Sequence, residues 1–192
     1  MSTSRAVTAS ALWTLPNLIS LCRIAAGPAC IYLLTQGTPW AIWAALVTMI
    51  FAEITDFLDG LVARAHGQIS SVGKILDPMA DSLYRVSVFL AFVANGWMPV
   101  WMLLIIIVRD ITVSYLRIMA ELRLETMAAR QSGKWKAVVQ SAAQISIVVV
   151  IALWGAGGEV FEGFALGALT VATAVTVYSL YDYTASVLRR LP

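Results

Sequence analysis

Along this chain, runs of roughly 20 apolar residues alternate with short polar breaks, six times over. The runs fall at about 15–35, 40–64, 74–95, 98–120, 135–156 and 164–188. Each is long enough for a helix to cross the roughly 30 Å hydrocarbon core of a bilayer. The breaks read TQGTP, ARAHGQISS, NGWMP, ELRLETMAARQSG and GAGGEVFEG, stretches rich in turn-forming and polar residues. The pattern predicts an all-α integral membrane protein with six transmembrane helices, built as a single domain over residues 1–192.

Composition supports this reading. The chain is 60% hydrophobic and only 12% charged, where a soluble domain carries about 25% charged residues. The net charge of +2 is small, and no nucleic-acid partner is expected from it. The placement of the charges is more informative than their sum. Arg5, Arg64, Lys74, Arg123, Arg130, Lys134, Lys136, Arg189 and Arg190 lie near the termini or the second and fourth breaks. The first, third and fifth breaks contain neither lysine nor arginine, and the fifth carries Glu159 and Glu162. Basic residues stay on the cytoplasmic side, so both termini are expected in the cytoplasm, on a multi-pass protein of the cell's inner (plasma) membrane. No cleavable signal peptide is expected. Cys22 and Cys30 share the first apolar run and read as small buried apolar residues rather than a disulfide or metal pair. Trp13, Trp40, Trp97, Trp101 and Trp135 lie near predicted helix ends, where interfacial tryptophans anchor.

Against this apolar background, ITDFLDGLVARAHGQISSVGKILDPMADSLY places Asp56, Asp59, Asp77 and Asp81 where two helices meet the cytoplasmic interface. Asp56 and Asp59 are three apart and Asp77 and Asp81 four apart, so each pair shares a helix face. A charged side chain at the membrane centre costs roughly 2.5–3.5 kcal/mol on insertion scales. Clustered carboxylates also repel, so a counter-charge is required. Hard divalent cations such as Mg²⁺ bind carboxylates together with substrate phosphates, and paired metals suit phosphoryl transfer. Two other readings remain open. Arg64 or Arg85 would serve as salt-bridge partners in a purely structural cluster, and a divalent-cation transporter would also collect acids. A transporter, however, needs acids spread through the membrane depth.

Gly60 and Gly73 would each weaken a helix by up to about 1 kcal/mol, yet both stand beside the acids. Glycines here allow a ligand close to the backbone, Ala63 extends the smooth face, and Arg64 offers a charged fork for phosphate. Together these describe a nucleotide-diphosphate site; tight helix packing is the alternative. His66 is expected in the loop between the acidic helices, as a solvated side chain.

The run Asp56-x2-Asp59-Gly60-x2-Ala63-Arg64-x8-Gly73-x3-Asp77-x3-Asp81 resembles, with every spacing intact, the signature of the CDP-alcohol phosphotransferases. That resemblance implies a six-helix enzyme with a cytoplasm-facing active site. It implies transfer of a phosphatidyl group from CDP-diacylglycerol, a lipid substrate, to an alcohol, with release of CMP. It further implies two Mg²⁺ or Mn²⁺ ions held by Asp56, Asp59, Asp77 and Asp81, with Asp81 also the general base. Asp56, Gly60, Ala63, Arg64 and Gly73 correspond to the CDP pocket, and a homodimer is expected.

The acceptor must be read from other polar residues. The fourth run contains Arg109, Asp110, Ser114 and Arg117, and the fifth begins GKWKAVVQ, with Lys134, Lys136 and Gln140. Anchoring on the cytoplasmic side explains Arg123 and Arg130 without a ligand. Arg109 lies too deep for that explanation, and a pair with its neighbour Asp110 is disfavoured because adjacent helical residues point apart. A basic pocket of Arg109, Arg117, Lys134 and Lys136 suits an acceptor with its own phosphate. The runs Arg109-Asp110-x3-Ser114-x2-Arg117 and Gly133-Lys134-x-Lys136-x3-Gln140 resemble the phosphatidylglycerophosphate synthase branch, as do LPNLISLCRI and SLYDY. That resemblance implies glycerol 3-phosphate as acceptor. Asp110 replaces the branch's usual glutamate and Arg85 follows the last aspartate, which keeps inositol phosphate as the rival.

Overall fold

Backbone amides cannot stay unpaired in lipid, so apolar runs of this length become helices. The computed structural model describes residues 15–66, 73–122 and 131–189, with side chains described over 18–56, 76–119, 131–187 and at 189. Six helices follow one another: α1 (Leu15–Gln36), α2 (Pro39–His66), α3 (Gly73–Ala94), α4 (Val100–Leu122), α5 (Gln131–Trp154) and α6 (Glu159–Leu188). Four of them, α1, α2, α5 and α6, contain a stretch long and apolar enough to cross a membrane. The other two have charges in their interiors: Asp77, Asp81 and Arg85 in α3, and Arg109, Asp110 and Arg117 in α4. No strand occurs among the described residues.

The predicted helices match these elements closely, with differences at the ends. Helix α5 starts at Gln131, earlier than the polar GKWK run suggested, and α6 starts at Glu159. Two glutamates in the first turn of α6 suit the positive end of its dipole. His66 is the last residue of α2 rather than part of a loop. Trp40, Trp101 and Trp135 are exposed, as interfacial anchors require. Trp97 instead packs between Phe92 and Phe161, tilted to the first ring and edge-to-face with the second, with centroids 5.8 and 6.1 Å away. Trp13 lies outside the described residues. Cys22 and Cys30 are both free thiols, the first exposed and the second buried.

Successive helices run antiparallel, so the starts of α1, α3 and α5 share one end of the bundle with the ends of α2, α4 and α6. Gly37, at φ 64°, allows the tight reversal between α1 and α2. Along α1, the buried residues Ser20, Arg23, Gly27, Cys30 and Leu34 form one stripe at alternating spacings of three and four. This stripe faces α3, against which α1 packs. A methyl group added at Gly27 would sit 2.7 Å from Ser87 Oγ, so glycine is what lets these two helices close.

The bundle divides along its length. One end is a continuous apolar core with contributions from all six helices, including Leu34, Met49, Phe89, Phe92, Met102, Ile106, Ile147 and Leu169. The other end, where the odd-numbered helices start, holds buried charges: Arg23, Arg85, Arg109, Asp110 and Lys136. Helix α5 touches α2, α3 and α6 and stands between two groups of helices. Its Ala137, Ser141 and Gln144 face α3, while Lys136 and Gln140 face α4 and α6.

Candidate active site

The polar end of the bundle contains two charged clusters, one on each side of α5. The first is acidic. Asp56 near the end of α2 lies close enough to Asp77 and Asp81 on α3 for all three charges to interact. Each carboxylate has one oxygen held by a neighbour. Arg23 Nη1 pairs with Asp56 Oδ1 at 2.9 Å. Ser20 Oγ donates to Asp77 Oδ1 at 2.5 Å. Arg85 donates to Asp81 Oδ1 through Nε at 3.0 Å and Nη2 at 2.7 Å. The second oxygen of each carboxylate has no partner among the described residues.

A fourth acid belongs here. Glu53 precedes Asp56 by one helical turn, accepts from Ser141 Oγ at 2.7 Å and lies 3.8 Å from Arg85 Nη1. Among the described side chains, four carboxylates (Glu53, Asp56, Asp77, Asp81) stand against two guanidinium groups (Arg23, Arg85), a formal net of −2 if all are ionised. The side chains of Asp56 and Asp81 are 48% and 29% exposed, so the uncompensated charge faces outward. No three metal-binding side chains among the described residues already close on one point. The donor set nonetheless fits hard divalent cations: all oxygen, negatively charged in excess, and with one open oxygen per aspartate. Asp59, Gly60, Ala63 and Arg64 continue α2 past Asp56, and Gly73 opens α3. The surroundings of these five lie outside the described residues.

The second cluster is cationic and closed. Asp110 accepts from Lys136 Nζ with both oxygens, at 2.8 and 3.0 Å, and from Arg109 Nη1 at 3.0 Å. The neighbouring pair Arg109–Asp110 therefore does form, against the expectation from helix geometry. The arginine is long enough to curl back, and Lys136 on α5 fixes where Asp110 points. Arg109 Nη2 also donates to Ser179 Oγ at 2.7 Å, while its buried Nε has no partner among the described residues. Arg117 donates to the Tyr183 hydroxyl at 2.8 Å, and both arginines lie over the Tyr183 ring, at 5.5 and 5.4 Å. Arg109, Arg117 and Lys136 thus come together, whereas Lys134 is exposed. A Cβ at Gly133 would meet the Tyr183 hydroxyl at 3.0 Å and Arg109 Nη2 at 3.5 Å, so this glycine admits both. Ser132 beside it donates to Asp182 Oδ2 at 2.6 Å.

Sequence reasoning gave no role at the site to Ser20, Glu53 or Tyr183. Ser20 and Arg23 were visible as the polar end of the α1 stripe, and Glu53 as the residue one turn before Asp56. Tyr183 carries no comparable signal, because an aromatic residue in an apolar helix reads as core.

Comparison with known proteins bears on this arrangement. Residues 13–179 match the family described as CDP-alcohol phosphatidyltransferase. A CDP-diacylglycerol–glycerol-3-phosphate 3-phosphatidyltransferase of Cereibacter sphaeroides is 33% identical over 162 residues, covering 82% of this chain and 71% of that protein. The protein of the same description from Bacillus subtilis is 32% identical over 185 residues, 90% of this chain and 94% of the relative. A CMP-forming cardiolipin synthase of Streptomyces coelicolor is 35% identical over 100 residues, half of this chain and 46% of the relative.

Proposed function

The chain belongs to the CDP-alcohol phosphatidyltransferase family, and on that premise we propose that it transfers the phosphatidyl group of CDP-diacylglycerol to glycerol 3-phosphate. The products are phosphatidylglycerophosphate and CMP. The observation that carries the reading is the set of aspartates Asp56, Asp77 and Asp81 on α2 and α3, each with one oxygen held by the protein and one without a partner among the described residues.

Asp56, Asp59, Asp77 and Asp81 would hold two Mg²⁺ or Mn²⁺ ions, which when bound neutralise pyrophosphate charge. The open oxygen of Asp81 takes the proton from the acceptor's hydroxyl. The hydroxyl oxygen forms a bond to the lipid-linked phosphorus, and the bond from that phosphorus to CMP breaks. Asp56, Gly60, Ala63, Arg64 and Gly73 receive the CDP moiety, with the glycines and alanine giving it room and Arg64 its counter-charge. Arg109, Arg117, Lys134 and Lys136 receive the acceptor phosphate, in competition with Asp110 for two of the four. The single domain spans residues 1–192, works as a homodimer in the inner membrane and has both termini in the cytoplasm. Diacylglycerol tails then stay in lipid while headgroups react from the water side.

The test uses purified protein with CDP-diacylglycerol and Mg²⁺, and follows CMP release with glycerol 3-phosphate, phosphatidylglycerol, inositol phosphate, inositol or serine. Release with glycerol 3-phosphate, abolished by chelation of the metal, supports the proposal. Release with another acceptor alone keeps the chemistry and replaces the substrate. Silence with every acceptor, in folded protein that binds the donor lipid, overturns the reading.

A further inference from the structure

Resting on the assignment of Asp81 as base, we infer that Arg85 is a positioning residue: it aims the Asp81 carboxylate and is itself aimed by α5. Arg85 is 3% exposed, one turn after Asp81 on α3. Its Nε and Nη2 both donate to the same oxygen, Asp81 Oδ1. Its Nη1 donates to Ala137 O at 2.8 Å and to Ser141 Oγ, both on α5. Glu53 on α2 braces the far side, accepting from Ser141 Oγ. Four of the five N–H groups of the guanidinium are therefore engaged by protein, two of them on Asp81.

The geometry explains how. An aspartate has only two side-chain torsions, and two donors on Oδ1 fix both, which sets the direction of the other oxygen. The planar fork holds a carboxylate in one orientation where a lysine ammonium, a point charge on a flexible stem, holds only a distance. The contacts to α5 keep the fork from swinging away, so the direction of the base is set by three helices at once. Stability alone is a weak reason for such a residue, since a buried ion pair is often replaceable by apolar side chains. Placement costs rate steeply, because small displacements of a reacting group lose orders of magnitude.

The experiment compares Arg85→Lys, Ser141→Ala and Thr176→Val with the parent, measuring kcat, both KM values, melting temperature and donor-lipid binding. Thr176 accepts a hydrogen bond from Gln140 at 2.8 Å and ties α5 to α6, so its variant loosens α5 without touching the clamp. Arg85→Lys is expected to lower kcat by roughly tenfold or more with both KM values held within about twofold. Ser141→Ala, which leaves the fork less braced, is expected to lose about threefold in kcat, with a melting temperature that falls along with that of Thr176→Val. Thr176→Val is expected to melt earlier with parental kcat. Parental kcat in folded Arg85→Lys overturns the inference, as does a loss confined to either KM. Should Arg85→Lys fail to fold, parental kcat in Ser141→Ala overturns it instead. A fall in kcat with Thr176→Val equal to that of Ser141→Ala reduces Arg85 to a packing role. An inactive parent, by contrast, removes the functional reading before any variant is compared, and the inference with it.

Discussion

The two charged clusters flanking α5 lie at the same end of the bundle, yet they are built oppositely. On the α1–α3 side, carboxylates outnumber guanidinium groups among the described side chains, and Asp56, Asp77 and Asp81 each keep an oxygen without a partner among the described residues. On the α4–α6 side, Asp110 is saturated by Lys136 and Arg109, all three at most 7% exposed. A charge that a protein leaves uncompensated at a membrane surface invites a ligand. A charge closed within its own network stabilises nothing outside until something competes for it. On the proposed function, the first cluster would take cations as it stands, whereas the second would have to be opened by its ligand.

Asp81→Asn tests the open cluster most directly. It removes the proton acceptor while keeping shape and the Arg85 contact, and turnover is expected to fall by about 10²–10⁴-fold. Binding of CDP-diacylglycerol, measured by thermal stabilisation, should persist; a near-parental rate would assign the base elsewhere. Asp110→Asn tests the closed cluster. It leaves Lys136 and Arg109 buried without their counter-charge, at a cost of roughly 3–5 kcal/mol, and a melting temperature equal to the parent's would mean the network is not closed. Arg109→Ala sharpens the contrast from the other side. The acceptor's KM should rise about tenfold, close to 1.4 kcal/mol, with donor affinity spared; an unchanged acceptor dependence would take Arg109 out of the phosphate pocket. Gly27→Ala is the smallest change and lies under the open cluster. Crowding Ser87 costs about 1–3 kcal/mol, offset by up to about 1 kcal/mol of helix propensity, so melting should drop slightly; a more stable variant would show that α1 and α3 have slack.

Much of this was legible in the chain itself. Six apolar runs became six helices because lipid leaves a backbone no other way to pair its amides. Asp77 and Asp81 were readable as one face of α3, since residues four apart stack whatever the tertiary fold; that Asp56 joins them depends on how α2 packs. The partners of those acids were harder to read. Arg23 precedes Asp56 by 33 positions and Ser20 precedes Asp77 by 57, and no local periodicity connects residues on different helices. The Arg109–Asp110 pair went the other way for a related reason: the rule that neighbours diverge holds for short side chains, and here Lys136, from another helix, decided where the acid points. Tyr183 stayed hidden because its chemistry depends on two arginines arriving from α4.

The buried Arg23 has a consequence for how the chain enters the membrane. It belongs to α1, which leaves the ribosome before α2, while its counter-ion Asp56 sits in the second half of α2. Inserted alone, α1 would bring Arg23 into the membrane without Asp56, and a cation at the membrane centre costs roughly 2.5–3.5 kcal/mol. Only two residues separate α1 from α2. The two helices are therefore best delivered to the bilayer as one hairpin, in which Arg23 already meets Asp56.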